Sequence, residues 1–223
     1  MFKRLSILVF TVLLASCNVS RVVKPLEKGE KQLSASFGGP GIVFSGIPLP
    51  MPLSSVGYAQ GIDTGLTVSA GLHTTSLLFG VAQLDAGLHI QLFENKAQNF
   101  GMTAAPALNL FYDFNAGNMR TYPQIDLLGW WKYLDEKQHF FYAGGGTWVE
   151  LEREKAHEQV QNHEIMPYIT FGHQFNREKW SFQIEARYIG MNYRNDKLVV
   201  DYLTPFNKGT SGIYVGINRK LVK

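Results

Sequence analysis

Trp180-Ser181-Phe182-Gln183-Ile184-Glu185-Ala186-Arg187-Tyr188 is the stretch on which the fold turns. Successive side chains of a β-strand point to opposite faces. Trp180, Phe182, Ile184, Ala186 and Tyr188 therefore share one side, and Ser181, Gln183, Glu185 and Arg187 the other. An apolar face ending in aromatics, backed by a face that carries acid and base, is the pattern of a membrane barrel strand with a polar interior. The same alternation sets Leu84, Ala86, Leu88, Ile90 and Leu92 against Asp85, Gly87, His89 and Gln91. It recurs with Ile125, Leu127, Gly129, Trp131 and Tyr133 against Gln124, Asp126, Leu128, Trp130 and Lys132. The last segment sets Ile213, Val215, Ile217 and Leu221 against Tyr214, Gly216, Asn218 and Lys220, with Arg219 interrupting the apolar face near its end.

Extending outward, ten segments alternate with period two: about 32–38, 52–61, 64–73, 79–93, 101–113, 120–133, 138–151, 164–176, 180–193 and 210–221. No segment shows a helical period. The connections divide by length, as in outer-membrane barrels with short turns at one end and longer loops at the other. One set is 39–51, 74–78, 114–119, 152–163 and 194–209; the other, 62–63, 94–100, 134–137 and 177–179, is mostly tight and carries turn residues such as Asp63-Thr64-Gly65 and Asp135-Glu136-Lys137. The fold expected is all-β: a single antiparallel up-and-down barrel of about ten strands. Gly144-Gly145-Gly146 reads as a place where the wall twists. Pro106, Pro123 and Pro167 need bulges or strand ends, because a closed barrel has no free edge.

The start of the chain is different. Lys3 and Arg4 precede a run from Leu5 to Leu14 that is apolar apart from Ser6 and Thr11, too short for a permanent membrane helix, so residues 1–16 read as a signal peptide. Leu14-Ala15-Ser16-Cys17 resembles the lipobox of bacterial lipoproteins, which implies cleavage before Cys17 and a lipid on its sulfur. The resemblance also implies that Asn18, in place of aspartate, sends the protein to the outer membrane, with its lipid anchor on the periplasmic side. Cys17 is the only cysteine of an exported chain, so no disulfide competes for it; the alternative is a buried free thiol after an ordinary signal peptide. Residues 17–31, polar and aperiodic from residue 18, read as the lipidated N-terminus and a tether, and 32–223 as the barrel domain.

Composition agrees with a wall that faces something apolar. Charged residues make up 17% and aromatics 13% of 223 residues, and the formal charge of +3 is scattered, which gives no support for nucleic-acid binding. Trp131, Tyr133, Phe140, Phe141, Tyr142 and Trp180 bracket the short turns, while Tyr112, Phe114, Tyr122, Tyr188 and Tyr193 lie toward the other end. Two such groups read as the two aromatic girdles of a membrane barrel.

Functional residues are sought on the inward face. His89, Asp126, Lys132, Glu150, Glu185 and Arg187 are the lumen polar network expected, with acids and bases nearly balanced. The network reads either as a plug of ion pairs and hydrogen bonds or as a polar conduit. His73, followed by Thr74, Thr75 and Ser76, is the nearest thing to a base beside a nucleophile, without a local acid; it also reads as a rim histidine among solvated hydroxyls. His157 and His163, with Glu158 or Glu164, have a spacing that matches no metal site and read as part of a solvated loop. Neither a metal nor a cofactor is expected beyond the lipid on Cys17, and no phosphate loop, dinucleotide fingerprint or paired-cysteine site is found.

Together these features resemble small outer-membrane β-barrel proteins, in particular uncharacterised barrel lipoproteins of gram-negative bacteria. Lys28-Gly29-Glu30-Lys31-Gln32-Leu33, Phe37-Gly38-Gly39-Pro40-Gly41 and Ser76-Leu77-Leu78-Phe79-Gly80 carry that resemblance. The chain departs from many such barrels in ending Leu221-Val222-Lys223 rather than in an aromatic. The resemblance implies outer-membrane lipid and the barrel-insertion and lipoprotein-sorting machinery as partners, small solutes as possible cargo, and a structural, surface or small-pore role without catalysis. Two other readings stand beside it. One is a lipid-anchored periplasmic barrel holding an apolar ligand, as lipocalins do, which requires charges outside and an apolar interior. The other is a rim hydrolase, which requires His73 or His173 beside both a hydroxyl and a carboxylate.

Overall fold

The computed structural model describes residues 19–133, 139–152, 164–194 and 201–221. Its strands are β1 (Lys31–Phe44), β2 (Ile47–Pro50), β3 (Leu53–Asp63), β4 (Leu66–His73), β5 (Val81–Asn95), β6 (Phe100–Asp113), β7 (Asn118–Tyr133), β8 (His139–Val149), β9 (Ile165–Asn176), β10 (Trp180–Arg194) and β11 (Lys208–Leu221). Apart from β2, each pairs antiparallel with its neighbours in the chain, and β11 returns to β1 from Lys31↔Leu221 to Pro40↔Gly212. The sheet is thus a closed ten-stranded barrel with one added strand. Closure leaves no strand edge unpaired around the wall, as hydrocarbon demands of any sheet that crosses it.

The sign of the alternation is that of a membrane barrel. Leu84, Leu88, Ile125, Leu127, Phe171, Phe182, Ile184, Ile213 and Val215 are exposed on the outer surface, while Gln83, His89, Thr103, Asn109, Asp126, Gln183, Glu185 and Arg187 are buried within. A lipocalin-like barrel would have the opposite sign. Among the described residues, no helix is long and apolar enough to cross a membrane. At the short-turn end, Arg219 lies over the Trp180 ring at 5.3 Å, keeping its charge against an aromatic where the apolar face gives out.

Several local readings need correction. Residues 39–51 are not an open loop: β1 runs on to Phe44 and turns through Ser45 and Gly46, both at positive φ, into β2, with Gly41↔Pro50 to Phe44↔Ile47 paired. Residues 74–78 form a short helix, α1 (Thr74–Leu78). Phe140, Tyr142 and Tyr122 are not girdle residues; strand parity turns them inward, where they are buried. Gly144 and Gly146 also face inward. A Cβ at Gly146 would collide with the Tyr168 ring and the Asp126 carboxylate, so these glycines make room for lumen side chains. Pro106 lies mid-strand without a bulge, paired with Ile125; the β5–β6 ladder lapses between Gly87↔Ala107 and Ile90↔Ala104, where the missing N–H would have bonded. Pro123 and Pro167 each stand one residue before a ladder begins, so their missing donors cost little.

If the outer face meets hydrocarbon, Ile184→Arg lowers the unfolding free energy of the vesicle-reconstituted barrel by about 2–4 kcal/mol, and a loss under about 1 kcal/mol would place Ile184 away from the midplane. Urea titration followed by tryptophan emission reads the difference.

Candidate functional site: a lumen filled by the N-terminal segment

The residues expected to form a tether are not outside the barrel. Val19, Ser20, Arg21, Val22, Val23 and Leu26 are all buried, and the segment 19–26 runs along the lumen. It leaves at the short-turn end, where Gly29 donates to the Gly61 carbonyl (2.8 Å), Gly61 donates to Glu30 (2.9 Å), and Lys28 pairs with Asp63 (3.2 Å). The physical reason is that this stretch carries four apolar side chains and a guanidinium, a set that satisfies an inner wall better than water does.

Arg21 is fixed by an ion pair to the wall. Its guanidinium donates twice to Asp85, through Nη2 to Oδ2 at 2.6 Å and Nε to Oδ1 at 3.2 Å, and through Nη1 to Ser34 Oγ at 3.0 Å. Two parallel bonds to one carboxylate make the strongest ordinary ion-pair geometry, with direction as well as charge. His73 Nε2 stands 3.2 Å from the same carboxylate. The wall is cut to fit: a Cβ on either Gly57 or Gly71 would overlap the Arg21 guanidinium, and one on Gly61 would overlap the Glu27 carbonyl. Here glycine serves close approach rather than a turn.

Around Ser20 lies a second cluster. The Ser20 N–H donates to Glu185 Oε2 (3.1 Å), its carbonyl accepts from Gln183 (3.0 Å), and its hydroxyl oxygen accepts from Arg187 (3.1 Å). Glu185 also accepts from Tyr142 (2.7 Å) and bonds Arg187, whose guanidinium lies over the Tyr168 and Tyr214 rings. Tyr168 donates to Asp126, and Gln124 bonds both Asp126 (2.9 Å) and the Tyr168 hydroxyl (2.7 Å). Toward the short-turn end, Lys24 and Lys132 share Glu94 at 3.3 and 3.2 Å, both over Trp130. A β-bulge at Gln91/Phe93 in β5 turns Glu94 inward to receive them. The Leu26 N–H donates to Thr67 Oγ1 at 2.8 Å.

Of the residues singled out from sequence, Asp126, Glu185 and Arg187 thus meet in one network, Lys132 lies at the short-turn mouth, and His89 bonds Ser69 (2.9 Å). Glu150 lies just beyond β8 toward the opposite rim, apart from that cluster: it bonds the buried Tyr122 side chain and accepts from the Glu152 N–H (3.2 Å) near the Arg120–Glu152 pair. Asp85, Glu94, Arg21 and Lys24 were missed. Asp85 carried the alternation signal; Glu94 did not, since its parity is that of outward Leu92 until the bulge reverses it, and the two basic residues lie in an aperiodic stretch that gives none. Cys17, His157, Glu158 and His163 lie outside the described residues. The interior also contains apolar packing. Val23 joins Leu128, Trp130, Phe140 and Tyr142, and Val19 joins Phe111, Tyr122, Trp148 and Tyr214 toward the long-loop end. Between the segment and β4–β7 remains a polar cavity of about 60 Å³, lined by Arg21, His73, Asp85, His89 and Asn109, with room for a few water molecules.

A rim hydrolase is not assembled by the histidines proposed for it. His73 has its carboxylate, but the hydroxyls that follow it are used elsewhere: Thr74 and Thr75 bond Ser54, and Ser76 donates to Gln83. His173 lies 2.6 Å from the Tyr133 hydroxyl on the outer face, packed between Phe141 and Phe175. Among the described residues, no group of acids, histidines or cysteines is arranged to hold a metal ion.

No family model matches the chain, and no curated protein matches it. Solved structures similar to it include outer-membrane proteins. The NanC porin is 12% identical with a TM-score of 0.47, covering 86% of this chain and all of its own. An outer membrane channel from Pseudomonas putida F1 is 11% identical with a TM-score of 0.45, covering 91% of this chain and 99% of its own. Ail, the attachment invasion locus protein of Yersinia pestis, is 13% identical with a TM-score of 0.29, covering 87% of this chain and 99% of its own. Likenesses this distant transfer neither residues nor function.

Removing one partner of a buried ion pair costs about 3–5 kcal/mol. Arg21→Ala, which strands Asp85, and Gly71→Val, which fills the notch, both release the segment. Hydrogen exchange at the Leu26 amide is expected to rise by orders of magnitude in each variant, while the β10–β11 ladder keeps its protection.

Proposed function

We propose that the protein is an outer-membrane β-barrel whose lumen is stoppered by its own residues 19–26, a non-enzymatic envelope component that conducts only when that segment is out. The observation that carries this reading is the segment's buried position, with Arg21 held by Asp85 in a notch formed by Gly57 and Gly71. The apolar outer face and polar inner face support the membrane location.

Lipidation of Cys17 belongs to the same proposal, with a geometric consequence. Val19 is buried level with Gly216, in the middle part of β11, and two residues of chain reach at most about 7 Å. A lipid on Cys17 that enters the periplasmic leaflet and residues 19–26 in the lumen are therefore alternatives. The anchored arrangement has the segment withdrawn and the lumen open to water.

Charge gives the open state a character. The stoppered network sets Arg21, Lys24, Lys132 and Arg187 against Asp85, Glu94, Asp126 and Glu185. Withdrawing the segment removes Arg21 and Lys24 and leaves the acids in excess, which favours cations in a narrow pore.

Planar-bilayer recordings test this. The chain with residues 19–26 in place is expected to give no steady conductance. Deletion of 19–26 gives steady channels whose reversal potential in a potassium chloride gradient shifts toward that of potassium. Equal conductance from both forms would sink the stopper, and anion preference would sink the charge argument.

A further inference from the structure

We infer that the hairpin β1–β2 forms, with the outer wall of β9, β10 and β11, a lateral groove that holds one acyl chain of a membrane lipid. The inference rests on the membrane reading above, but on a different part of the molecule. The groove has a volume of about 530 Å³, within the range of small-molecule sites. Its roof is Pro48, Leu49 and Pro50, with Leu203 beside them; its floor includes Phe171, Ala186 and Ile213. Phe171 and Ile213 belong to the exposed outer face, so the groove opens where lipid chains would be. Ala186, the smallest of these, pairs with Phe171 on one side and Ile213 on the other and leaves the depression between their larger side chains.

The roof is built rather than draped. Val43 donates to the Asp201 carbonyl (2.8 Å), Leu203 donates to Gly41 (2.8 Å), Ser211 donates to Leu203 (2.9 Å), and Ile42 bridges Tyr202. The polar group at the groove's rim, the Tyr188 hydroxyl, is already used on the Lys208 carbonyl (2.8 Å). Thr170, Arg187 and Ser211 also border it, but the Arg187 guanidinium is turned into the lumen, bonded to Glu185 and Ser20, so the groove is mainly apolar and offers no charge to an ionic ligand.

An extended peptide is the other ligand that a hairpin edge invites, by adding a strand. The outer edge of β2 is Ile47-Pro48-Leu49-Pro50, and prolines at alternate positions remove donors that a third strand would need. A flexible hydrocarbon chain needs none. A groove continuous with the lipid-facing wall, mainly apolar and closed to strand addition, fits an acyl chain taken from the bilayer itself.

The test is photolabelling of the full chain in dioleoylphosphatidylcholine vesicles containing phosphatidylcholine with a diazirine on one acyl chain, with adducts mapped by mass spectrometry. Leu49 and Ile213 are expected to be labelled severalfold more than Leu88, an equally outward residue of β5 across the barrel. Ala186→Phe, which fills the floor from the outside, brings Leu49 and Ile213 down to the Leu88 level while Leu88 is unchanged. Equal labelling of all three positions in the parent chain, or no response to Ala186→Phe, overturns the groove and leaves the membrane reading intact. No labelling at any of them overturns both.

Discussion

A polar inner wall must be satisfied from within, and in this barrel its partner is the chain's own beginning. Arg21 meets Asp85 through two bonds in a space that only glycine at positions 57 and 71 leaves free. Neither half makes sense alone. Without the guanidinium the notch is a void and Asp85 a buried charge; without the notch Arg21 has no path to its partner. Reciprocal fit of this kind, repeated where Ser20 meets Gln183, Glu185 and Arg187, marks the segment as an internal element of the fold rather than a linker caught in passing.

The same fit sets the energetic terms of opening. Withdrawal breaks a buried ion pair, exposes Val19, Val22, Val23 and Leu26, and frees the acids of the wall. Water entering a ten-stranded lumen hydrates those acids and recovers part of the cost. In the proposed lipidated form, a lipid on Cys17 would supply the opposing pull, since burial of acyl chains in a leaflet is favourable by about 0.8 kcal/mol per methylene. On that proposal the barrel poses a competition between two uses of one short segment, whose outcome would decide whether the molecule is a filled post or a narrow channel.

Much of the barrel was legible because its wall obeys one rule, an alternation of period two, in the ten strands that close it. Turn chemistry and the long-short division of connections added the strand count. The errors are equally physical. Residues 41–50 carry prolines and glycines and so read as a loop, yet backbone bonds to 201–203 hold them as a hairpin. Phe140 and Tyr142 sit in aromatic company at a turn, but parity alone assigns their face. Residues 19–26 defeat local reading altogether: their order comes from wall residues between 34 and 216, and no periodicity within the segment records contacts so distant in sequence. The glycines at 57 and 71 were visible, but a glycine states only that something comes close, not what.

The central claim is that residues 19–26 lie inside the wall, and cysteine accessibility tests it most directly. In a Cys17→Ser chain embedded in outer-membrane vesicles opened to both faces, Val23→Cys, Leu128→Cys and Lys28→Cys are treated separately with a membrane-impermeant maleimide. The account predicts that Val23→Cys is protected to the same degree as Leu128→Cys on the inner wall, while Lys28→Cys at the exposed mouth reacts freely. Reaction at position 23 as fast as at position 28 would contradict it.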